Sequence, residues 1–186
     1  MENSTTTKNK KEWILAGYAA FAQAGPGGLK VEALARAVQK SKSSFYHYFA
    51  DLEIFTEQLL AYHSERAQMI TIRESECQNV DPELLEVFVE FKQDLLFNRQ
   101  LRVHREKPGF EACFQAVNAQ VGLAILPIWS AFLGLPSNSP LASLVLTLTV
   151  ENFFLQITAD NLNMKWLQNY VQGLRQMVRQ FQHSRV

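Results

Sequence analysis

The side chains best suited to chemistry cluster at residues 41–49, in the run SKSSFYHYF. Hydrogen-bond donors and acceptors in this run come from Lys42, Ser43, Ser44, Tyr46 and His47. Phe45 and Phe49 lie four residues apart, so on a helix both would point inward and anchor it. A short helix with one aromatic edge and one polar edge is suited to hydrogen bonding with base edges and phosphates.

Other arrangements of reactive residues are missing from the sequence. It has no His-Glu-x-x-His motif, no glycine-rich phosphate loop and no nucleophile elbow. The four histidines, His47, His63, His104 and His183, are scattered, and Cys77 and Cys113 lack metal-ligand spacing. We therefore expect no enzyme, no metal site and no cofactor, and we expect the reduced thiols of a cytoplasmic protein.

Two short helices must position the polar run. The first is predicted over 31–38, with Val31, Leu34, Ala35 and Val38 on its inner face. The second covers 41–49, and Ser41 is well placed to cap it. Two short helices form a poor core alone, so a longer helix carrying Trp13, Ile14, Tyr18 and Phe21 on one face must support them. This pattern predicts a helix-turn-helix whose second helix can enter the major groove of DNA.

The distribution of charge supports a polyanion partner, although the total does not. The 186 residues carry 18 basic and 18 acidic side chains, a formal net charge of zero. Residues 1–50 hold seven basic and three acidic side chains, hence +4, and the remainder is −4. The sum therefore conceals a basic head joined to an acidic body.

At this point the sequence resembles a known family. The run Ser41–Phe49, followed by Asp51 and Glu53, is similar to the recognition helix of TetR-type repressors. Upstream, the family's aromatic residue, turn glycine and "I-A" pair are matched by Phe21, Gly25, Leu34 and Ala35, so the resemblance covers roughly residues 10–60. It implies a helix-turn-helix DNA-binding domain at 1–50 and a helical ligand-binding and dimerisation domain at 51–186.

Four positions depart from the family pattern. Gln39 and Lys40 stand where the turn usually has glycine and an apolar residue, Lys30 replaces a capping Ser or Thr, and Leu52 replaces a frequent lysine. The expected DNA contacts are Lys42, Ser43, Ser44, Tyr46, His47 and Tyr48, with Lys30, Lys40 and Lys11 supplying charge to phosphates. A helical adaptor that has lost specific DNA recognition is the alternative that these departures leave open.

The rest of the chain is also predicted to be helical, giving an all-α protein of about nine helices. Asp51 is expected to cap a long helix, and Asp81-Pro82 to open another that carries Leu84 through Leu96. A helix from Pro108-Gly109 is expected to reach about Leu133 with a kink near Pro127. After a break at 134–140, two helices follow at roughly 140–159 and 163–182.

The last two helices are expected to pair with a second copy of the chain. Apolar residues recur in the last helix at alternating spacings of three and four, which favours nearly parallel or antiparallel helix packing. The TetR resemblance implies a four-helix dimer interface there, with an intramolecular hairpin as the alternative. The predicted interface residues are Leu141, Val145, Leu148, Leu167, Val171, Leu174, Val178 and Phe181.

Aromatic residues are frequent in the middle helices, where the resemblance implies a ligand cavity. Ordinary core packing is the alternative for each of these residues. The candidate ligand-binding residues are Phe88, Phe91, Phe114, Gln115, Asn118, Trp129, Asn152 and Phe153.

The sequence thus predicts a cytoplasmic, homodimeric transcriptional regulator, in keeping with a repressor, that binds a palindromic double-stranded DNA operator and answers to a small-molecule effector. A membrane partner is not expected, because polar residues interrupt Leu141–Ala159, the most lipid-like stretch in the sequence.

Overall fold

A computed structural model describes residues 2–136 and 139–183, so part of the predicted break at 134–140 lies outside the described residues. Within these ranges the chain forms nine α-helices and no β-strand, as predicted. The helices are α1 (Glu2–Ala24), α2 (Val31–Ala37), α3 (Lys42–Tyr48), α4 (Leu52–Ser75), α5 (Leu85–Glu90), α6 (Lys92–Val103), α7 (Phe110–Leu133), α8 (Pro140–Gln156) and α9 (Met164–His183). A 3₁₀ turn lies at Gly25–Gly28 and a π-helical turn at Val80–Leu84.

The helices form two compact units, and each is built from two separate segments of the chain. The first unit comprises Met1–Arg66 and Gln93–Phe114, and the second comprises Ala67–Lys92 and Gln115–Val186. The first unit therefore contains the helix-turn-helix and most of α6. A separate domain at 1–50 stays a prediction.

Large apolar side chains form the core of the first unit. Trp13, Phe21, Phe45 and Phe55 are each 0% exposed, and they come from three helices, α1, α3 and α4. Gly17 allows α1 to approach α4 closely, because a Cβ built there would lie 2.3 Å from Cζ of Phe55. The first helix is therefore held tightly against the helix that follows the helix-turn-helix.

A buried polar network also joins α1, α4 and α6 within the first unit. The Tyr18 hydroxyl donates to Oδ1 of Asp94 at 2.8 Å and lies 2.7 Å from Nδ1 of His63. Both Asp94 oxygens accept from the Arg66 guanidinium at 2.6 Å, and the Phe97 ring stacks on Tyr18 and His63. Since burial lowers the pKa of His63 to about 4, the imidazole is neutral near pH 7, and Arg66 alone neutralises the carboxylate.

One predicted helix is two helices in the structure. The sequence predicted that Asp81-Pro82 opens a helix continuing through Leu96, but α5 ends at Glu90 and α6 begins at Lys92. Phe91 between them leaves the helical conformation, with φ −97° and ψ 28°, and its ring packs in a buried cluster with Ile70 and Val87. Apolar periodicity continued across this break, because side chains on both sides of it are buried.

The long apolar helix α7 is the one described helix that length and composition would allow to cross a membrane. The most lipid-like stretch of the sequence, Leu141–Ala159, lies mostly in a different helix, α8, which has only 17 residues and is too short to be such a candidate. Core helices of soluble proteins also have this length and composition, so a single such helix is no evidence of a membrane protein.

Candidate nucleic-acid interface

The helix α3 is fixed by a cap at its start and by an aromatic anchor on its inner face. Ser41 precedes the helix in an extended conformation, and its Oγ accepts a hydrogen bond from the Ser44 backbone N–H at 3.3 Å. The Phe45 ring is fully buried, with its centroid 5.4 Å from that of Trp13 and 5.1 Å from that of Phe55. Both features were predicted, and they determine which side of α3 faces outward.

The outward side of α3 presents polar side chains to solvent. Tyr46 is 56% exposed, and its ring meets Phe45 edge to face at 5.4 Å, so packing holds the base of the ring while the hydroxyl is free to reach a partner. The other predicted contacts on this helix are exposed at Lys42, Ser43 and His47 and half-buried at Ser44 and Tyr48. The structure thus brings these six residues together on one seven-residue helix.

Lys42 is paired with an acidic residue of the preceding helix. Its Nζ lies 2.7 Å from Oε1 of Glu32 in the first turn of α2, and both side chains are more than half exposed. The Lys42 ammonium, which donates this hydrogen bond, holds the pKa of the Glu32 carboxyl below its ordinary value. Glu32 was not predicted as a partner, because it is ten residues from Lys42 in the sequence and comes close only when α2 packs against α3.

The turn between α2 and α3 is tied to α1 through Lys40. Its Nζ donates to Oδ1 of Asn9 at 2.8 Å and to Oε2 of Glu12 at 2.6 Å, and this interaction lowers the pKa of the Glu12 carboxyl. Without DNA, the Lys40 ammonium therefore holds the turn of the helix-turn-helix against α1. Its contact with a DNA phosphate stays a prediction.

Gln39 occupies the turn position where the family usually has glycine. Its φ is +54°, in the left-handed region, and it is the one non-glycine residue with positive φ in the described chain. Glutamine adopts this conformation at a steric cost that glycine lacks. The turn therefore has a left-handed residue at this position although that residue is not glycine.

Of the remaining predicted phosphate contacts, Lys30 lies at the start of a helix and Lys11 lies within one, since α1 already begins at Glu2. Lys30 is exposed and precedes α2 without a side-chain cap, and Lys11 is exposed on α1. The neighbouring Lys10 places its Nζ 5.7 Å from the centre of the Phe49 ring. Leu52, which stands where a phosphate-contacting lysine is frequent, is 37% exposed at the start of α4, and Asp51 caps that helix as predicted.

The predicted ligand-binding residues are divided between the two units. Phe114 belongs to the first unit, whereas the others lie in the second. There the Phe88 and Phe153 rings are 5.8 Å apart, and Phe153 also meets Trp166 and Tyr170, two rings that sequence analysis missed. Of the rest, Phe91 and Trp129 are buried, Asn118 is half-buried, and Gln115 and Asn152 are exposed. We call Phe88, Phe153, Trp166 and Tyr170 the aromatic cluster.

The predicted dimer residues fall into three groups by exposure. Leu167, Val171 and Val178 are buried within the chain itself, so this part of the apolar seam of α9 packs internally. Val145 and Leu174 are half-buried, and large apolar side chains are exposed at Leu141, Leu148 and Phe181. Leu155, which the sequence places on the same side of α8 as Leu141 and Leu148, is also exposed, and so are Leu144 and Met177, which were not predicted. We call the six exposed side chains the exposed apolar set, namely Leu141, Leu144, Leu148, Leu155, Met177 and Phe181.

Comparisons with known proteins found a match to the helix-turn-helix segment and matches to the fold of the chain. Residues 14–53 match the family model described as bacterial regulatory proteins, tetR family. A candidate TetR-family transcriptional regulator from Mesorhizobium loti has a TM-score of 0.58 at 14% identity, covering 93% of this chain and 96% of its own. A second one, from Rhodococcus sp., has a TM-score of 0.57 at 20% identity, covering 92% and 98%. No curated protein matches significantly.

The matched segment coincides with the helix-turn-helix described above, from the buried face of α1 to the first turn of α4. Regulators of this family are DNA-binding transcription factors and not enzymes. Residues 14–53 thus match bacterial tetR-family regulators over the helix-turn-helix, and the chain has the fold of a TetR-family transcriptional regulator.

Proposed function

We propose that this chain is a cytoplasmic, homodimeric transcriptional repressor that binds a palindromic operator through α3 and leaves it when a small-molecule effector binds. One observation carries the proposal: α3 is anchored by a buried Phe45 and presents Tyr46, His47, Lys42 and Ser43 to solvent on its other side. A rigid short helix with an outward polar face is the element that helix-turn-helix proteins insert into the major groove.

The exposed apolar set supports assembly into a dimer. Leu141, Leu144, Leu148 and Leu155 are each between 44% and 60% exposed on one helix, and Phe181 on α9 is 68% exposed. Large apolar side chains at this density on neighbouring helices are typical of a surface that is covered in the assembled state. Two-fold symmetry then places two copies of α3 about one helical turn of DNA apart, roughly 34–36 Å, facing a palindromic site.

The aromatic cluster and its polar neighbours support an effector site in the second unit. The Tyr170 hydroxyl donates to the Thr149 carbonyl at 3.2 Å and to Oδ1 of Asn152 at 3.1 Å, so polar groups border the rings. A molecule that binds better to a conformation with low DNA affinity must, by linkage, weaken operator binding.

The DNA contact is tested by selecting a palindromic site from random sequence and measuring its affinity by fluorescence anisotropy. Tyr46→Ala should weaken specific binding by roughly tenfold or more, because a base or phosphate contact at the centre of α3 is lost. Met69→Ala, which truncates an equally exposed side chain outside the first unit, is the matched control and should bind as wild type does. A dimeric Tyr46→Ala protein that binds as tightly as wild type would overturn the proposal for α3.

The dimer is tested by light scattering on variants of the exposed apolar set. Leu148→Glu introduces a charge at a 60% exposed position of α8 and should shift the protein toward monomer. Leu15→Glu changes a 45% exposed leucine of the first unit and serves as the control, so it should stay dimeric. Monomeric wild-type protein at micromolar concentration contradicts the dimer.

A helical adaptor is the second candidate function, and the ion pairs of Lys40 and Lys42 favour it. Lys40 and Lys42 both hold carboxylates in this structure, which reduces the free positive charge near α3. Salt dependence separates the two functions, because binding through several phosphates weakens steeply as salt rises. Association with DNA that is insensitive to salt, or no association, favours the adaptor.

A further inference from the structure

Glu74 is a buried carboxylic acid near the end of α4, in the second unit. Its side chain is 1% exposed, and its Oε2 has no hydrogen-bond partner in the described structure. Acidic side chains are almost never this deeply buried unless a partner compensates the charge. A fully buried carboxyl oxygen without a partner therefore calls for an explanation beyond folding.

The surroundings of Glu74 on this helix are apolar. Ile70 precedes it by four residues and therefore lies on the same face of α4. Ile70 packs with Val87 and Phe91 in a buried cluster, and the Cys77 side chain packs against that cluster. Cys77 also donates its backbone N–H to the Glu74 carbonyl at 3.2 Å. Glu74 therefore lies on the face of α4 that contributes Ile70 to an apolar seam with α5.

No cationic side chain among the described residues forms an ion pair with Glu74. The adjacent Arg73 points its guanidinium at Glu76, 2.8 Å away, and at Glu90, 3.6 Å away. The described residues also contain no group of three histidine, cysteine, aspartate or glutamate side chains that could hold a metal ion. A metal is therefore an unsuitable partner, since divalent cations need several oxygen, nitrogen or sulfur ligands.

We propose that the Glu74 carboxylate is the recognition group for an effector that carries a protonated amine on an apolar body. This inference rests on the effector response proposed above and names the chemical class of the effector. An ammonium group supplies both the positive charge and the N–H donors that the carboxylate lacks. The apolar body matches the seam formed by Ile70, Val87 and Phe91.

Binding of such an effector involves an exchange of one proton with solvent. Burial raises the pKa of Glu74 to about 8, so at pH 7 the free protein holds this group mostly as the neutral acid. When the ammonium ion arrives, the carboxyl proton leaves to buffer and an ammonium–carboxylate pair forms. The amine keeps its own proton, so close to one proton is released for each amine bound.

The experiment uses n-alkylammonium ions from butyl to decyl, each compared with the alkanol of the same chain length. Binding to the full-length protein is measured by calorimetry at pH 7 in two buffers of different ionisation enthalpy. We expect at least one amine to bind about tenfold or more tightly than its alkanol, with proton release. Glu74→Gln and Glu74→Met should both lose this preference by about tenfold.

Glu86→Gln is the matched control, because it removes an exposed carboxylate of the same unit, and it should keep the preference. Circular dichroism establishes that each variant is folded, and the two substitutions at Glu74 give two independent tests. The inference is overturned if no amine binds wild type more tightly than its alkanol, or if a folded Glu74 variant keeps the preference. Operator affinity without amine is measured separately. If wild type does not bind an operator, the proposed repressor function is contradicted, but the result on amine binding by Glu74 is not affected.

Discussion

Lys42 at the start of α3 and Glu32 in the first turn of α2 form an ion pair, with Nζ 2.7 Å from Oε1. The pair occupies a lysine expected to contact DNA, and in the proposed complex it places a negative charge beside the DNA phosphates. Glu32→Gln should therefore bind the operator roughly two- to fivefold more tightly at low salt, because Lys42 is released and one repulsive charge is removed. Fluorescence anisotropy over a series of salt concentrations measures this change.

The gain from Glu32→Gln should shrink as salt rises, since salt screens both the ion pair and the repulsion. Glu106→Gln removes an exposed carboxylate elsewhere in the first unit and should leave the affinity unchanged. Weaker operator binding by a folded Glu32→Gln protein would show that Glu32 helps to position Lys42 for DNA instead of competing with it.

Gln39 provides a test of the turn that separates α2 from α3. Because its φ is +54°, replacement by glycine relieves steric strain, partly offset by the greater freedom of glycine in the unfolded chain. Gln39→Gly should raise the free energy of unfolding by about 0.5 kcal/mol, and Gln39→Val should lower it by about 1–2 kcal/mol. Urea unfolding measures both changes.

Gln68→Gly, at an exposed position in the middle of α4, is the matched control for the glycine substitution. A glycine inside a helix should lower the free energy of unfolding by about 1 kcal/mol, which is the opposite sign. If Gln39→Gly is also destabilising, the glutamine side chain makes a contribution in the turn that its conformation does not reveal.

The helix-turn-helix was predictable because its signals are local. Ser41 as a cap, Phe45 as an anchor and the polar face of α3 follow from residues within one or two helical turns of each other. Apolar spacing alone likewise fixed the all-helical architecture. The partners of Lys40 and Lys42 were missed, since Asn9, Glu12 and Glu32 come close only after the helices pack.

The second unit was less predictable, because its features depend on contacts distant in sequence. The seam of α9 correctly indicated helix packing, but sequence could not show that Leu167, Val171 and Val178 are buried within the chain. Glu74 was missed altogether, since a single acidic residue in a charged stretch is normally solvent-exposed. Only the three-dimensional structure shows that its carboxyl is buried.

Asp94 should be among the most stability-critical polar residues of the first unit. It is 2% exposed and accepts hydrogen bonds from Arg66 and Tyr18. Asp94→Asn removes the carboxylate charge that compensates the Arg66 guanidinium and should lower the free energy of unfolding by about 3 kcal/mol. Tyr18→Phe removes one hydroxyl and keeps the ion pair, so it should cost only about 1–2 kcal/mol. Similar losses in the two variants, measured by urea unfolding, contradict a dominant role for the ion pair.

Glu74 should make the stability of the protein depend on pH in an unusual direction. Its pKa is about 8 in the folded chain, against an ordinary value of 4.5. Between these values the folded state binds a proton that the unfolded state has lost, so the free energy of unfolding falls as pH rises. The slope contributed by this one group is up to about 1.4 kcal/mol per pH unit, and it disappears above the folded pKa.

Glu74→Gln should therefore flatten the decline in stability from about pH 5 to pH 8, and the variant should exceed wild type in stability at pH 8. The charged groups nearest in sequence, Arg73 and Glu76, pair with each other. Burial raises the pKa of the Cys77 thiol, so the thiol stays protonated over this pH range. Urea unfolding at half-unit pH intervals measures the slope, with Glu86→Gln as the exposed control. Parallel curves for wild type and Glu74→Gln mean that the carboxyl finds a compensating partner in the folded protein, in which case the amine preference proposed for this residue loses its physical basis.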